Sequence, residues 1–168
     1  MTTPFEQLYL KLLRLNAVLA TAESCTGGLI AKWITDISGS SQVFWGSVVC
    51  YDNSAKIELA QVSPEILNTH GAVSEPVALA LAQGVLKKIP WKPSQAFRIS
   101  LSTTGIAGPT GATPDKPVGQ AWIAVGIEKL NQVPDFHTRL LQSPYAADRQ
   151  KNREYFAHSA LLLLNELI

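Results

Sequence analysis

Cysteine, histidine and charge are all scarce in this chain. Two cysteines, Cys25 and Cys50, and three histidines, His70, His137 and His158, give neither the spacing of a metal-ligand set nor a disulfide framework. No metal and no cofactor is expected, and both thiols should be reduced and partly buried. Charged residues make up 16% of the sequence and the formal net charge is +1, so there is no field to gather a polyanion, and nucleic acid is not the expected partner. No apolar run approaches the roughly 20 residues of a membrane span. The first residues, with Glu6 among polar neighbours, lack the core of a signal peptide, so a cytoplasmic protein away from the membrane is expected. Internal repeats, low-complexity tracts and linkers are also missing. At 168 residues with 46% hydrophobic content, the chain has the size and composition of one domain with an ordinary core.

The apolar segments alternate in type along the chain. Thr3-Pro4-Phe5-Glu6 reads as a helix start with Thr3 as cap, and Phe5, Leu8, Leu12 and Leu15 fall on one face before a stop near Asn16. A strand over Ala17 to Ala22 is followed by a helix from Thr26 to about Ile37, which ends in the turn Ser38-Gly39-Ser40-Ser41. Phe44 to Tyr51 is a second strand, and Asn53 caps a short helix bearing Lys56 on its first turn. Two further helices start at Ser63-Pro64 and Ser74-Glu75-Pro76 and stop at Gly71 and Pro90. Phe97 to Ser102 is a short central strand that empties into a glycine-rich loop, Thr103 to Gly111. Val118 to Ile127 and Phe136 to Leu141 form an antiparallel hairpin. A helix from about Tyr145 to Leu167 presents Phe156, Ala160, Leu163 and Leu167 inward. This order predicts a three-layer α/β/α sandwich with a mixed, mainly parallel sheet.

Three polar corners, Glu23 to Gly28, Tyr51 to Lys56 and Ser102 to Gly111, each follow a strand, and parallel neighbours would bring them to one sheet edge, where α/β proteins collect ligands. Ser24 and Cys25 are the candidate nucleophiles, with backbone amides near Thr26, Gly27 and Gly28 able to receive a phosphate or an oxyanion. A serine ahead of a helix also serves as a cap, and a thiol there can be a small buried hydrophobe. None of the three histidines falls beside a corner, so a lysine is the better base for Ser24, provided that burial keeps it neutral. Lys56, between Ala55 and Ile57, is the best placed, with Tyr51 able to relay a proton or hold it in line. The loop Gly105 to Gly111 lacks the Lys-Ser/Thr ending of a P-loop. Arg149 and Arg153 at the start of the last helix suit bidentate contact with phosphate or carboxylate.

Taken together, Thr21 to Gly28, Gly46 to Tyr51 with Asn53, Ala55 and Lys56, Gly71 to Ser74, and Thr104 to Pro109 with Lys116-Pro117-Val118-Gly119 resemble the CinA carboxy-terminal domain family. The resemblance runs in the same order from the first helix to the last. Stand-alone members of that family include nicotinamide-nucleotide amidases. The resemblance implies a CinA-like sandwich that self-associates as a homodimer or larger oligomer and hydrolyses the carboxamide of nicotinamide mononucleotide in pyridine-nucleotide salvage. It also implies a serine and lysine pair, carried here by Ser24 and Lys56 with Tyr51 nearby. Ser41 is a further family-type position, a substrate contact or competing nucleophile, and Thr104, Gly105 and Arg149 match segments assigned to substrate binding.

Overall fold

The computed structural model describes residues 4–168. Five strands, β1 (Ala17–Glu23), β2 (Phe44–Val49), β3 (Phe97–Gly105), β4 (Gln120–Lys129) and β5 (Asp135–Gln142), form one sheet in the order β2-β1-β3-β4-β5. The first three are parallel neighbours, and β4 and β5 are added antiparallel, as the short turn between them requires. The sheet is therefore mixed, with four of its five strands pointing the same way.

Among the described residues six α-helices cover its two faces: α1 (Pro4–Arg14), α2 (Leu29–Thr35), α3 (Asn53–Ala60), α4 (Pro64–His70), α5 (Glu75–Lys88) and α6 (Arg149–Leu167). Alternation along β1 divides the core. Ala17 and Leu19 join Leu8, Leu12, Ile30, Ile34, Phe156 and Ala160 beneath α1, α2 and α6, whereas Ala20 and Ala22 join Ala60, Leu81 and Val85 beneath α3 and α5. Buried on both sides, the central strands read as continuous apolar runs, the pattern of a covered parallel sheet. Among the described residues no helix is long and apolar enough to cross a membrane.

Several boundaries differ from the sequence reading. Gly27 and Gly28 take left-handed backbone angles, φ 61° and 90°, so the chain turns before α2 can begin and the helix starts at Leu29 rather than Thr26. β3 runs three residues further than expected, because Thr103, Thr104 and Gly105 continue the ladder with β4. Asp52, not Asn53, caps α3: its carboxylate accepts from the Ser54 amide and hydroxyl. The last helix starts at Arg149 with Asp148 as cap. The expected cap Thr3 lies outside the described residues.

Parallel register brings the carboxyl ends of β1, β2 and β3 level, with Glu23 opposite both Val49 and Thr103. From that edge β1 leads into α2 on one face and β2 into α3 on the other. The exits of adjacent strands thus part at the sheet edge, and this divergence opens a crevice.

One helix contact fixes where α3 sits. A Cβ on Gly84 of α5 would lie 1.7 Å from the Ala60 carbonyl oxygen at the end of α3, so only glycine permits this approach. Alanine for glycine inside a helix ordinarily gains roughly 1 kcal/mol. Here the collision is with backbone, and Gly84→Ala is expected to lower stability by about 2 kcal/mol or more. Equilibrium urea unfolding checks this; a variant as stable as the parent contradicts the packing.

Candidate active site

The three corners do meet. A cleft of about 220 Å³ at the carboxyl ends of the parallel strands is lined by Ser24 and Cys25 from the first, Tyr51, Asn53 and Lys56 from the second, and Thr104, Gly105 and Ala107 from the third. Arg149 from the start of α6 and Ala72 and Val73 from the segment after α4 complete it.

Ser24 leaves β1 with its amide donating to the Thr103 carbonyl (3.1 Å), and the Gly27 amide returns to the Ser24 carbonyl (3.1 Å). The turn so closed is held from beneath by Glu23, whose carboxylate has no exposed surface. Glu23 Oε2 accepts from the Thr26 hydroxyl (2.8 Å) and the Ile30 amide (3.1 Å), and Oε1 accepts from the Ala31 amide (2.8 Å). A buried carboxylate is tolerated when it accepts several such donors, and these include amides that α2 cannot satisfy within itself. Because Thr26 donates to Glu23, its oxygen is the acceptor for the Thr103 hydroxyl at 2.8 Å.

Lys56 is 2% exposed. Its ammonium donates to the Tyr51 carbonyl at 3.1 Å. Burial holds its pKa below the ordinary 10.5, against opposing attractions from Cys50, Asp52 and Cys25. No direct hydrogen bond joins Lys56 to Ser24; the two share the cleft wall. The Cys25 thiol, 5% exposed, is pushed up to about 12 chiefly by burial, which leaves it protonated and a poor nucleophile at neutral pH. Burial raises Cys50 as well.

Of the two roles expected of Tyr51, relaying a proton or holding Lys56 in line, the contact in place is a hold on the amine through the Tyr51 main-chain carbonyl. Tyr51 is 60% exposed, and its hydroxyl accepts from Arg149 Nη2 at 2.6 Å, while Arg149 Nη1 donates to the Gly108 carbonyl at 2.8 Å. The backbone of Tyr51 thus holds Lys56, and its phenolic oxygen holds Arg149. The Thr104 hydroxyl donates to the Ala72 carbonyl at 2.6 Å, and Gly105 is a strand residue packed against Ala121.

Two groups of candidates fall elsewhere. Thr26, Gly27 and Gly28 do not line the cleft: they form the turn behind it, where the Gly27 amide and the first amides of α2 are already engaged. Ser41 lies in the short 3-10 turn Ser40–Gln42 that precedes β2, at the amino end of the parallel strands. It faces a separate cleft of about 350 Å³ with Asn16, Lys92 and Gln95. Sequence reasoning assigned no role to Glu23, although an acidic residue closing an apolar strand just ahead of a helix is the available signal.

Comparison with known proteins gives one consistent result. The family model of the CinA C-terminal domain matches residues 2–168. A CinA-like protein of Salinibacter ruber is 44% identical over 146 residues, 87% of this chain and 32% of its own. One from Syntrophomonas wolfei is 45% identical over 146 residues, with the same 87% and 32% coverage. This chain therefore spans about a third of the length of these curated relatives. Among solved structures, a competence-damaged protein (CinA) superfamily protein of Escherichia coli superposes with a TM-score of 0.83 at 27% identity, covering 98% of this chain and 88% of that one. The competence/damage inducible protein CihA of Agrobacterium tumefaciens gives 0.81 at 34% identity, covering 99% and 97%.

The depressed pKa of Lys56 has a sign that stability measurements read. Between the folded pKa and 10.5 the folded state binds fewer protons than the unfolded chain, so stability rises with pH across that window, and the cost of charging the buried amine is fully present below it. Lys56→Met removes the titrating group. The variant's stability relative to the parent is expected to be most favourable below the depressed pKa and to decline as the pH rises towards 10.5, read from denaturant midpoints across pH. A difference that stays constant contradicts a depressed pKa.

Proposed function

The chain belongs to the CinA C-terminal domain family, and from that premise we propose that it is an amidohydrolase that converts nicotinamide mononucleotide to nicotinate mononucleotide and ammonia. The single observation that carries this reading is that the hydroxyl-bearing Ser24, 7% exposed, and the desolvated amine of Lys56 lie in the walls of one cleft.

Neutral Lys56 takes the Ser24 hydroxyl proton as Oγ attacks the carboxamide carbon. The tetrahedral intermediate collapses with cleavage of the carbon–nitrogen bond, and the protonated amine delivers its proton to the departing ammonia. Water then attacks the ester on Ser24, Lys56 accepts a proton from it, and the proton returns to Ser24 as the acid leaves. In such a dyad the low pKa of the base replaces the third residue of a triad. Arg149 lines the same cleft with two of its donors engaged, which leaves further N–H groups for the nucleotide phosphate. The family resemblance extends the proposal to a self-associated protein.

A second reading is favoured by the hydrogen bond from Lys56 to the Tyr51 carbonyl rather than to Ser24: a nucleotide-binding module without turnover. Ammonia release from nicotinamide mononucleotide separates the two. Ser24→Ala is expected to lower the rate by about 10³-fold or more, and Cys25→Ser to retain most of it. Activity that survives in Ser24→Ala and disappears in Cys25→Ser rejects the serine assignment; nucleotide binding with no ammonia from the parent protein favours the module.

A further inference from the structure

The first turn of α6 reaches all three corners through side chains on one face. Arg149, Asn152 and Arg153 stand at the i, i+3 and i+4 positions. Arg149 donates to the Tyr51 hydroxyl and the Gly108 carbonyl, Asn152 donates to the Ala107 carbonyl at 3.0 Å, and Arg153 donates to the Thr26 carbonyl through both Nε (3.2 Å) and Nη2 (2.7 Å). The contact of Arg153 with Thr26 joins residues 127 apart in sequence.

From this geometry we propose that Arg153 is a positioning residue for the nucleophile, an inference that rests on the amidase reading of Ser24. Thr26 is pinned on two sides. Its hydroxyl is held by Glu23 and Thr103, and its carbonyl by the planar fork of Arg153. The turn between these anchors is the one that the Gly27 amide closes onto Ser24, so the direction of the Ser24 side chain depends on both. A Cβ on Gly27 would stand 3.2 Å from Arg153 Nη2, so the glycine leaves the space that the guanidinium fills. Lysine cannot reproduce two donors in a fixed plane. The arginine therefore acts through backbone geometry: its donors go to the Thr26 carbonyl, and it is not among the residues that line the cleft. Arg149 on the same helix face holds the Tyr51 corner that carries Lys56, and one helical turn thereby sets nucleophile and base relative to each other.

The experiment compares the parent with Arg153→Lys and Arg153→Met in two measurements. One is steady-state release of ammonia from nicotinamide mononucleotide. The other is amide hydrogen exchange over residues 24–28, with peptides from β4 as the control for global unfolding. Both variants are expected to lose kcat by roughly tenfold or more with KM within about twofold, since small misplacement of a reacting group acts on kcat. Exchange over residues 24–28 should accelerate about tenfold while β4 stays protected. A raised KM with kcat preserved in Arg153→Met, and recovery of KM in Arg153→Lys, overturns the proposal in favour of a direct contact with the phosphate. Unchanged kcat and unchanged exchange overturn it outright. Should the parent release no ammonia, the amidase reading fails, and the exchange measurement alone decides whether Arg153 orders the Ser24 turn.

Discussion

A carboxylate without exposed surface organises this cleft. Glu23 closes the inner strand β1, and in place of a cation it meets the Thr26 hydroxyl and two amides from the first turn of α2. Each donor removed would leave an acceptor charge buried and incompletely satisfied, a large penalty in a low-dielectric interior. The strand end, the turn after Ser24 and the start of α2 are therefore one unit. Such a unit fixes a reactive side chain better than a loop held only by apolar contacts.

Lys56 presents the opposite arrangement. Lys56 is among the largest fully buried side chains of the protein, yet among the described residues its ammonium has a single carbonyl partner and no carboxylate within ion-pair distance. Burial without an ion-paired anion costs folding free energy, and the same burial lowers the pKa against the weaker attraction of Asp52. Ordinary core design would place a methionine or leucine at this position. The departure from core chemistry coincides with the cleft at the switch point of the sheet, and that coincidence argues for function rather than packing.

Much of the fold was legible because the strands are apolar and bounded by turn residues, and because Pro64, Gly71, Pro76 and Pro90 punctuate the helices. The meeting of three corners followed from strand direction alone. What failed has local causes. Thr103-Thr104-Gly105 looks like loop by composition, and only pairing with β4 makes it strand. Thr26 to Gly28 looked like helix because Gly27 and Gly28 precede an apolar run, but positive φ at both delays α2. The position of Ser41 was recoverable: a turn that precedes a strand lies at its amino end, away from corners that follow strands. The contacts of the Tyr51 hydroxyl with Arg149 and of Arg153 with Thr26 were not recoverable, since they join residues 98 and 127 apart in sequence, and spacing does not report such contacts.

The central claim is that the amine of Lys56 is neutral enough at working pH to take a proton from Ser24. Its most direct test is an NMR titration of the protein carrying ¹³C-labelled lysine, with the Lys56 resonance assigned by its loss in Lys56→Met. A titration midpoint below 10.5, matching the acidic limb of the pH dependence of ammonia release, is the expected result. A midpoint at or above 10.5, or an acidic limb unrelated to it, contradicts the lysine as base.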